Sequence, residues 1–319
     1  MQASICAPTP VPATLTAASA HVVYLDVNTP SDAPEQLRAI LDRFPDLVAA
    51  KLVLARILGL DTTGTKGGER LRLLQELMEE RPNDVTVITD YMALLQQVQM
   101  AREALGTHPA GSLSNQILAA GMRALGMAGG HSHAECYRLM SVQYRYKRDF
   151  AVARRLIVMA LAQNLIKFSR YICKVLDRPA PFERLTLEQL RFTADGLFEM
   201  LNVPKAELDR FSGRTLECMR QNIAYCRSDL GFVNLYEALE SGGELAPTLM
   251  DMAEEDFSVA YDIYPKCGSI VYGLAEMAEA RGNHQRATEL LVQSYAIEKT
   301  YTVRDKLRAR GIDCEESSL

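Results

Sequence analysis

The sequence lacks tryptophan, and aromatic residues of all kinds make up only 7% of its 319 positions. Aromatic and β-branched side chains favour strands, whereas leucine, alanine, methionine, glutamate and arginine, which are abundant here, favour helices. Apolar residues reach 48% and charged residues 24%, as in ordinary globular proteins. The composition therefore predicts a folded, mainly helical chain and excludes collagen-like and wholly disordered classes.

Charge is missing from the first twenty residues, and the first basic residue is Arg38. A secretory signal needs a basic start and an unbroken apolar stretch, but Pro8, Pro10 and Pro12 interrupt this segment. No uncharged apolar run is long enough to cross a bilayer. We expect a flexible tail over residues 1–28, with HVVYLDV at 21–27 as an extended lead-in, and no membrane span.

Paired cysteine spacings are also missing, although the chain has seven cysteines. Disulfide frameworks occur in short secreted chains with dense, even cysteines, so reduced thiols in a cytoplasmic protein are the simpler interpretation. The cluster His131, His133 and Cys136 has the residue types of a metal site but no second ligand pair. Gly129-Gly130 before it and Ser132…Glu135 within it favour a loop and a helix start.

Common catalytic motifs are absent: no GxSxG, HExxH, GxGxxG or DxDxDG pattern occurs. The segment Gly64–Gly68 imitates a phosphate loop, but the residues before it are helical in pattern, so it is interpreted as a helix–helix turn. Nothing nominates a nucleophile or base, a metal or a cofactor. A helical enzyme with an unrecognised site, for instance within residues 179–245, stays open as an alternative.

Charge is divided into blocks along the chain, which carries a net −5. Residues 1–137 have 10 basic and 14 acidic side chains, residues 138–191 have 12 and 4, and residues 192–319 have 13 and 22. A basic middle between acidic flanks can steer an anionic ligand or let chains dock on each other. It can also be an ordinary solvated helix face.

Helical stripes recur at a fixed offset near the C-terminus. Val271, Leu274, Ala275 and Ala278 form one stripe, Gly282-Asn283 breaks the helix, and a second stripe follows. That second stripe comprises Ala287, Leu290, Leu291 and Ser294. The helix pair spans about 34 residues, in the range of repeat architectures.

The pattern recurs elsewhere in the chain. Pro265 lies 34 residues before Lys299 and follows Ala253, Phe257 and Ala260 in a small, aromatic, small arrangement. Residues 134–165 repeat it with Ala153, Ile157 and Ala160 on the second helix, and Ala33, Leu37 and Ile40 precede Pro45 near the N-terminus. Small residues at crossing points let two helices approach closely. The sequence resembles the tetratricopeptide repeat family, although Lys299 stands where that family usually has proline.

The resemblance implies an α-solenoid of antiparallel helix pairs with irregular inserted helices. It covers residues 29–178, where residues 84–130 hold only a degenerate, shortened repeat, and residues 246–312. An atypical helical segment lies at 179–245 and a flexible tail at 313–319. Thr186–Gln189 is interpreted as a capping box within the atypical segment.

The family's groove positions, carried over to this sequence, imply a partner-binding surface on the first helices of the repeats. They are Arg56 in the first unit, Arg138, Val142, Arg145 and Tyr146 in the middle unit, and Tyr272, Glu276 and Glu279 in the last. Proteins similar to these repeats mostly bind peptide or helical segments as scaffolds, co-chaperones or assembly factors. We therefore expect an acidic or amphipathic segment of another protein as the partner, with self-association open.

The basic segment 138–191 offers a second interpretation. Tyr144, Arg145, Tyr146, Lys147 and Arg148 interleave aromatic and basic side chains, a composition typical of single-strand nucleic-acid binders. Tyr144 is also a repeat packing position, so part of this content belongs to the core. A nucleic-acid-associated regulator is the alternative function.

Overall fold

A computed structural model describes residues 14–59, 67–104, 106–127, 133–179 and 214–314, together with residues 199, 201–204, 207 and 211. These residues form thirteen α-helices and no strand, which confirms the all-helical class. The chain divides into two compact units, Met1–Leu94 and Leu95–Leu319. Several predictions lie outside the described residues: the Thr186–Gln189 capping box, His131 with Ser132, most of the Gly64–Gly68 turn and most of the C-terminal tail.

The described residues of the first unit form four helices and the start of a fifth. They are α1 Leu15–Asn28, α2 Ala33–Arg43, α3 Val48–Leu58, α4 Gly67–Glu80 and the first part of α5 Val85–Ala104. Helix α3 packs against α1, α2 and α4. Ala33, Leu37 and Ile40, the stripe expected before Pro45, are buried. Arg38 also donates to both carboxylate oxygens of Glu69, at 2.9 and 2.8 Å.

Helix α1 overturns the extended lead-in expected at residues 21–27, and it takes residues 15–28 out of the expected tail. Thr14 caps it by accepting a hydrogen bond from the backbone N–H of Ala17 at 3.2 Å. Ala18, Val22 and Leu25 are buried. Their spacing of four and three residues is a helical stripe, and burying it outweighs the β preference of the neighbouring valines.

The second unit begins with the end of α5, and its described residues form eight further helices. They are α6 Ser114–Leu125, α7 Ala134–Tyr146, α8 Phe150–Val175, α9 Arg214–Ser241, α10 Ala246–Ile263, α11 Gly268–Ala280, α12 His284–Ile297 and α13 Tyr301–Ala309. From α6 to α13, each described helix packs against the next, and α9 also lies beside α7 and α11.

Small side chains are buried where helices of the second unit cross. Ala153, Ala253 and Ala287 are all completely buried, as the repeat pattern predicts. Ser141 on α7 donates to the carbonyl of Ala153 at 2.9 Å, so α7 and α8 approach closely there. The helix end expected at residues 282–283 is also confirmed, because Gly282 has a φ of +75° and the Asn283 side chain caps α12.

Phe257 on α10 fixes the approach of α9 and α11. A Cβ added at Gly231 would lie 2.9 Å from the Phe257 ring, and one added at Gly273 would lie 2.3 Å from it. The ring of Phe232 on α9 meets Phe257 edge to face at 4.9 Å. Glycine at these two positions therefore lets three helices pack around one aromatic side chain.

Helix α8 is the one described helix that is long and apolar enough to cross a membrane by length and composition alone. Half of its most apolar window is buried within the fold, and core helices of soluble proteins meet the same criteria. The helix contributes Ile157, Leu161, Leu165 and Phe168 to a buried cluster with α7 and α9.

The Gly273→Ala substitution should destabilise the second unit, because the added methyl group would overlap the Phe257 ring. Overpacking of this kind costs about 1–3 kcal/mol, against about 1 kcal/mol gained in helix propensity. Urea unfolding followed by circular dichroism measures the net change. Gly68→Ala in α4 is the control, since nothing lies within 4 Å of its added Cβ. If Gly273→Ala and Gly68→Ala changed the free energy of unfolding by the same amount, the close approach of Gly273 to the Phe257 ring would be contradicted.

Candidate partner-binding face

The turn between α7 and α8 sets the position of the predicted arginines. Arg148 takes a left-handed conformation with a φ of 62°, and the Asp149 side chain accepts a hydrogen bond from the N–H of Val152 at 3.2 Å. These contacts end one helix and start the next. Arg138 and Arg145, seven residues apart, then lie on the same side of α7, two turns from each other.

Arg138 is held by two carboxylates. It donates to both oxygens of Glu135, at 2.8 and 2.7 Å, and to Asp229 on α9 at 2.9 Å. Its guanidinium also lies over the Tyr225 ring at 5.6 Å. Burial alone would lower the pKa of Arg138, but Glu135 and Asp229 outweigh burial and hold that pKa well above its ordinary value. Arg138 is therefore a fixed cation with its charge neutralised.

Arg145 is held mainly by aromatic rings. Its guanidinium lies 5.0 Å from the centre of the Phe232 ring and 5.5 Å from that of Tyr236. These two rings lie one turn apart on α9 and stack on each other at 6.0 Å. The oxygen of Asp229 that faces Arg145 is 4.0 Å from its Nη1 atom, beyond hydrogen-bond distance.

Tyr272 and Glu276 extend this arrangement onto α11. The centre of the Tyr272 ring lies 6.1 Å from that of Phe232. The Nζ atom of Lys306 on α13 lies over the Tyr272 ring, 5.4 Å from its centre. Lys306 also forms an ion pair with Glu276. Burial, followed by the nearby Glu276 carboxylate, raises the pKa of Tyr272. The phenol therefore stays neutral.

We call this set of side chains the central face of the second unit. It is a cluster of polar and aromatic side chains, most of them partly exposed, carried by the neighbouring helices α7, α9 and α11, with α13 at its end. Its members are Arg138, Arg145, Asp229, Phe232, Tyr236, Tyr272, Glu276 and Lys306. Four of the predicted positions, Arg138, Arg145, Tyr272 and Glu276, are brought together here.

The other predicted positions of the second unit lie apart from the central face or beneath the surface. Val142 is 4% exposed and packs in the helix core, so it offers no surface contact. Tyr146 donates to Glu103 on α5 at 3.1 Å, and burial raises its pKa to about 12. Glu279, at the end of α11, pairs with Arg310 at 2.5 Å.

Arg56 belongs to the first unit. It lies in α3 and pairs with Asp90 of α5 at 3.0 Å, with 42% of its side chain exposed. Its ion pair joins two helices of that unit.

Sequence reasoning missed the α9 contribution to the central face. Asp229, Phe232 and Tyr236 follow the i, i+3, i+7 rule of one helix side. They fall in the segment 179–245, which does not follow the repeat pattern, so no family position pointed to them. The helical spacing of one acidic and two aromatic residues was the sequence signal that could have indicated this side of α9 as a partner of the basic α7.

The charge blocks of the sequence meet within the second unit. Helix α9 carries acidic side chains that pair with the basic segment 138–191: Asp229 with Arg138, Glu240 with Arg148 at 2.6 Å, and Glu237 with Arg154. Three basic side chains of this segment, including Arg138 of the expected groove, are thus paired with the chain's own carboxylates. What remains is a face of mixed charge.

Some basic side chains on α8 have no ion-pair partner among the residues that the structure describes. Lys167, Arg170 and Lys174 are exposed and fall at i, i+3 and i+7, which places them on one side of the helix. Lys174 lies in the last turn of α8, where a cation interacts favourably with the helix dipole.

Within the described ranges no three His, Cys, Asp or Glu side chains are grouped as a metal site would require. His131 lies outside those ranges, so the predicted cluster is represented by His133 and Cys136. Burial raises the pKa of Cys136 to about 11, which keeps it a thiol.

Comparisons with known proteins add no family. No model of a protein family matches the chain, and no curated protein matches it either.

A buried polar network holds α9 in place behind the central face. Arg154 on α8 donates to the amide oxygen of Asn234 at 2.9 and 3.2 Å, and the Asn234 amide nitrogen donates to Asp256 at 3.1 Å. Arg227 donates to the other oxygen of Asp256 at 3.1 Å. The network links α8, α9 and α10 through hydrogen bonds in the core, where an unmet polar group would be costly.

The Asp256 carboxyl should make stability depend on pH. Burial raises its pKa from 3.8 to about 6, against the opposing effect of Arg227. A carboxyl with a raised pKa stabilises the folded state below its unfolded pKa, and this stabilisation is lost as pH rises through the folded pKa. Relative to Asp256→Asn, the wild type should lose up to about 3 kcal/mol of unfolding free energy between pH 4 and pH 7, at about 1.4 kcal/mol per pKa unit.

Urea unfolding of both proteins across this pH range measures the difference. Asp262→Asn, at an exposed position of the same helix, should keep the pH dependence of the wild type. Parallel curves for the wild type and Asp256→Asn would contradict the raised pKa.

Proposed function

We propose that this chain is a protein-interaction factor, a scaffold or assembly protein, whose second unit binds a segment of another protein along the central face. The observation that carries the proposal is the convergence of two arginines and three aromatic rings on side-by-side helices. Aromatic residues and arginine are enriched in interfaces and dominate binding energy there. Arg145, Tyr236 and Tyr272 are half-buried and held in place, so little side-chain freedom is lost on binding.

The charge pattern of the face favours an amphipathic segment over a purely acidic one. Arg138 and Lys306 are each paired with carboxylates of the chain, which leaves Arg145 and the rings as the contact groups. A segment with apolar side chains would pack on the rings, and an acidic residue would meet Arg145.

We also propose that α7–α8, α9–α10 and α11–α12 stack as tetratricopeptide-like pairs, with α13 after the last. The buried alanines at the helix crossings support this arrangement, as does the position of α9 beside both α7 and α11. In such a stack the first helices of the pairs line the inner surface. The central face lies on those helices.

Affinity capture tests the function. The immobilised wild type is compared with the double variant Arg145→Glu/Tyr272→Ala, using a lysate of the source cells and mass spectrometry. We expect proteins bound by the wild type to fall at least tenfold on the variant, because truncating hot-spot residues typically costs more than about 1 kcal/mol each.

The matched control is Arg155→Glu/Val292→Ala, which makes the same charge change at exposed positions of α8 and α12. It should retain the wild-type set of proteins. Circular dichroism and thermal melting of all three proteins verify folding. Equal capture by the wild type and the first variant would rule out the central face as the binding surface.

A nucleic-acid-associated role is the second candidate, supported by the exposed α8 cations Lys167, Arg170 and Lys174. It predicts nucleic acid that co-purifies and is released by salt, since phosphate contacts weaken steeply with ionic strength. The absorbance ratio at 260 and 280 nm before and after a high-salt wash measures this. A protein-binding role predicts no change in the ratio. A drop that is absent from the variant Lys167→Glu/Arg170→Glu/Lys174→Glu would establish the second candidate.

A further inference from the structure

Arg145 has unused hydrogen-bonding capacity at the centre of the face. Its Nη1 atom is buried and has no hydrogen-bond partner among the described residues. The only carboxylate paired with it there, Asp229, lies 4.0 Å away. A buried donor without an acceptor is unfavourable, so an acceptor that reaches this guanidinium gains more than a surface contact would.

The surrounding groups leave Arg145 available. Asp229 gives its closer oxygen to Arg138, at 2.9 Å, and Arg138 is also bound by Glu135. The Cζ atom of Arg145 lies over the rings of Phe232 and Tyr236, at 5.0 and 5.5 Å from their centres. Cation–π contact orients the guanidinium without using its N–H groups. About 15% of the Arg145 side chain remains exposed.

We infer that Arg145 is a subsite for the side-chain carboxylate of an aspartate or glutamate in the bound segment. This inference rests on the proposed function. A small shift of the side chain away from Asp229, with which it forms no hydrogen bond, brings its donors to the incoming oxygens. Arginine and carboxylate are matched in geometry, and hydrogen bonds between charged groups are among the strongest in proteins.

The charge of the site selects a carboxylate over a phosphate. The Nη1 atom of Arg145 has no hydrogen-bond partner among the described residues, and the Asp229 carboxylate 4.0 Å away already offsets part of the arginine's charge, so a ligand group of one negative charge is repelled less than a group of two. A phosphate group carries close to two charges at neutral pH and would be repelled by Asp229. Tyr236 and Tyr272, beside Arg145, provide ring surface for an apolar residue next to the acidic one.

Selection of phage-displayed random 12-residue peptides tests the subsite. The wild type, Arg145→Gln and the control Arg155→Gln are each used as bait. We expect the wild type and the control to enrich peptides with an acidic residue next to an apolar one, and Arg145→Gln to lose the acidic preference. The affinity of the best acidic peptide should fall at least tenfold on Arg145→Gln.

Changing the peptide instead of the protein keeps the test independent of folding. Replacing the acidic residue of the selected peptide by its amide should weaken binding to the wild type at least tenfold and leave binding to Arg145→Gln unchanged. An equal loss on both proteins would place the acidic residue elsewhere and overturn the subsite. Tighter binding of a phosphoserine version would overturn the choice of a carboxylate.

The failures of the two proposals are distinguishable. Peptides that are enriched without acidic residues, and that bind the wild type and Arg145→Gln equally but lose affinity on Tyr272→Ala, would overturn the subsite and leave the proposed function standing. If the wild type enriches no peptide, or only peptides indifferent to both substitutions, the central face is not a peptide site and both proposals are overturned.

Discussion

Close approach of three helices around Phe257 is the constraint on which the second unit depends. The ring fits because Gly231 on α9 and Gly273 on α11 have no side chain to displace it. This brings α9 and α11 side by side, and with them Phe232 and Tyr272. The order of the central face is therefore set in the core beneath it, by residues that no partner would touch.

Electrostatics adds a second level to this arrangement. The strongly basic α7–α8 pair meets carboxylates of α9 in ion pairs, most directly where Arg138 meets Asp229. Paired charges that are largely buried cost desolvation, and their main contribution is to specify which helices meet. The pairing also changes what the surface can recognise, because Arg138, Arg148 and Arg154 are already held by carboxylates of the chain. Arg145 stands out since aromatic rings, and no hydrogen-bonded carboxylate, hold it.

Helical periodicity and small residues made much of the fold predictable. The burial of Ala153, Ala253 and Ala287 follows from a steric requirement that recurs along the chain, and the helix end at Gly282 follows from backbone conformation. Both are local properties. Helix α1 was not predicted, because the β-branched residues at 22–23 favour a strand although the buried residues of this segment have helical spacing.

The central face was predictable only in part. Arg138, Arg145, Tyr272 and Glu276 came from a repeat offset, whereas Asp229, Phe232 and Tyr236 lie in a helix of 28 residues that follows no repeat. Val142 was predicted to lie on the face but is buried. A repeat position does not determine whether a small rotation of the helix directs a side chain outward or into the core. Whether an arginine is already paired within the chain or available to a partner depends on distances between helices, and a sequence pattern does not contain these distances.

The Asn234 amide between Arg154 and Asp256 has a directional consequence. Its oxygen must face the guanidinium and its nitrogen the carboxylate, so the two ends cannot be exchanged. Sliding α9 by one turn along its neighbours would separate all three groups at once. These hydrogen bonds thereby specify the alignment of α9 with its neighbours. Apolar contacts alone would allow many other staggers.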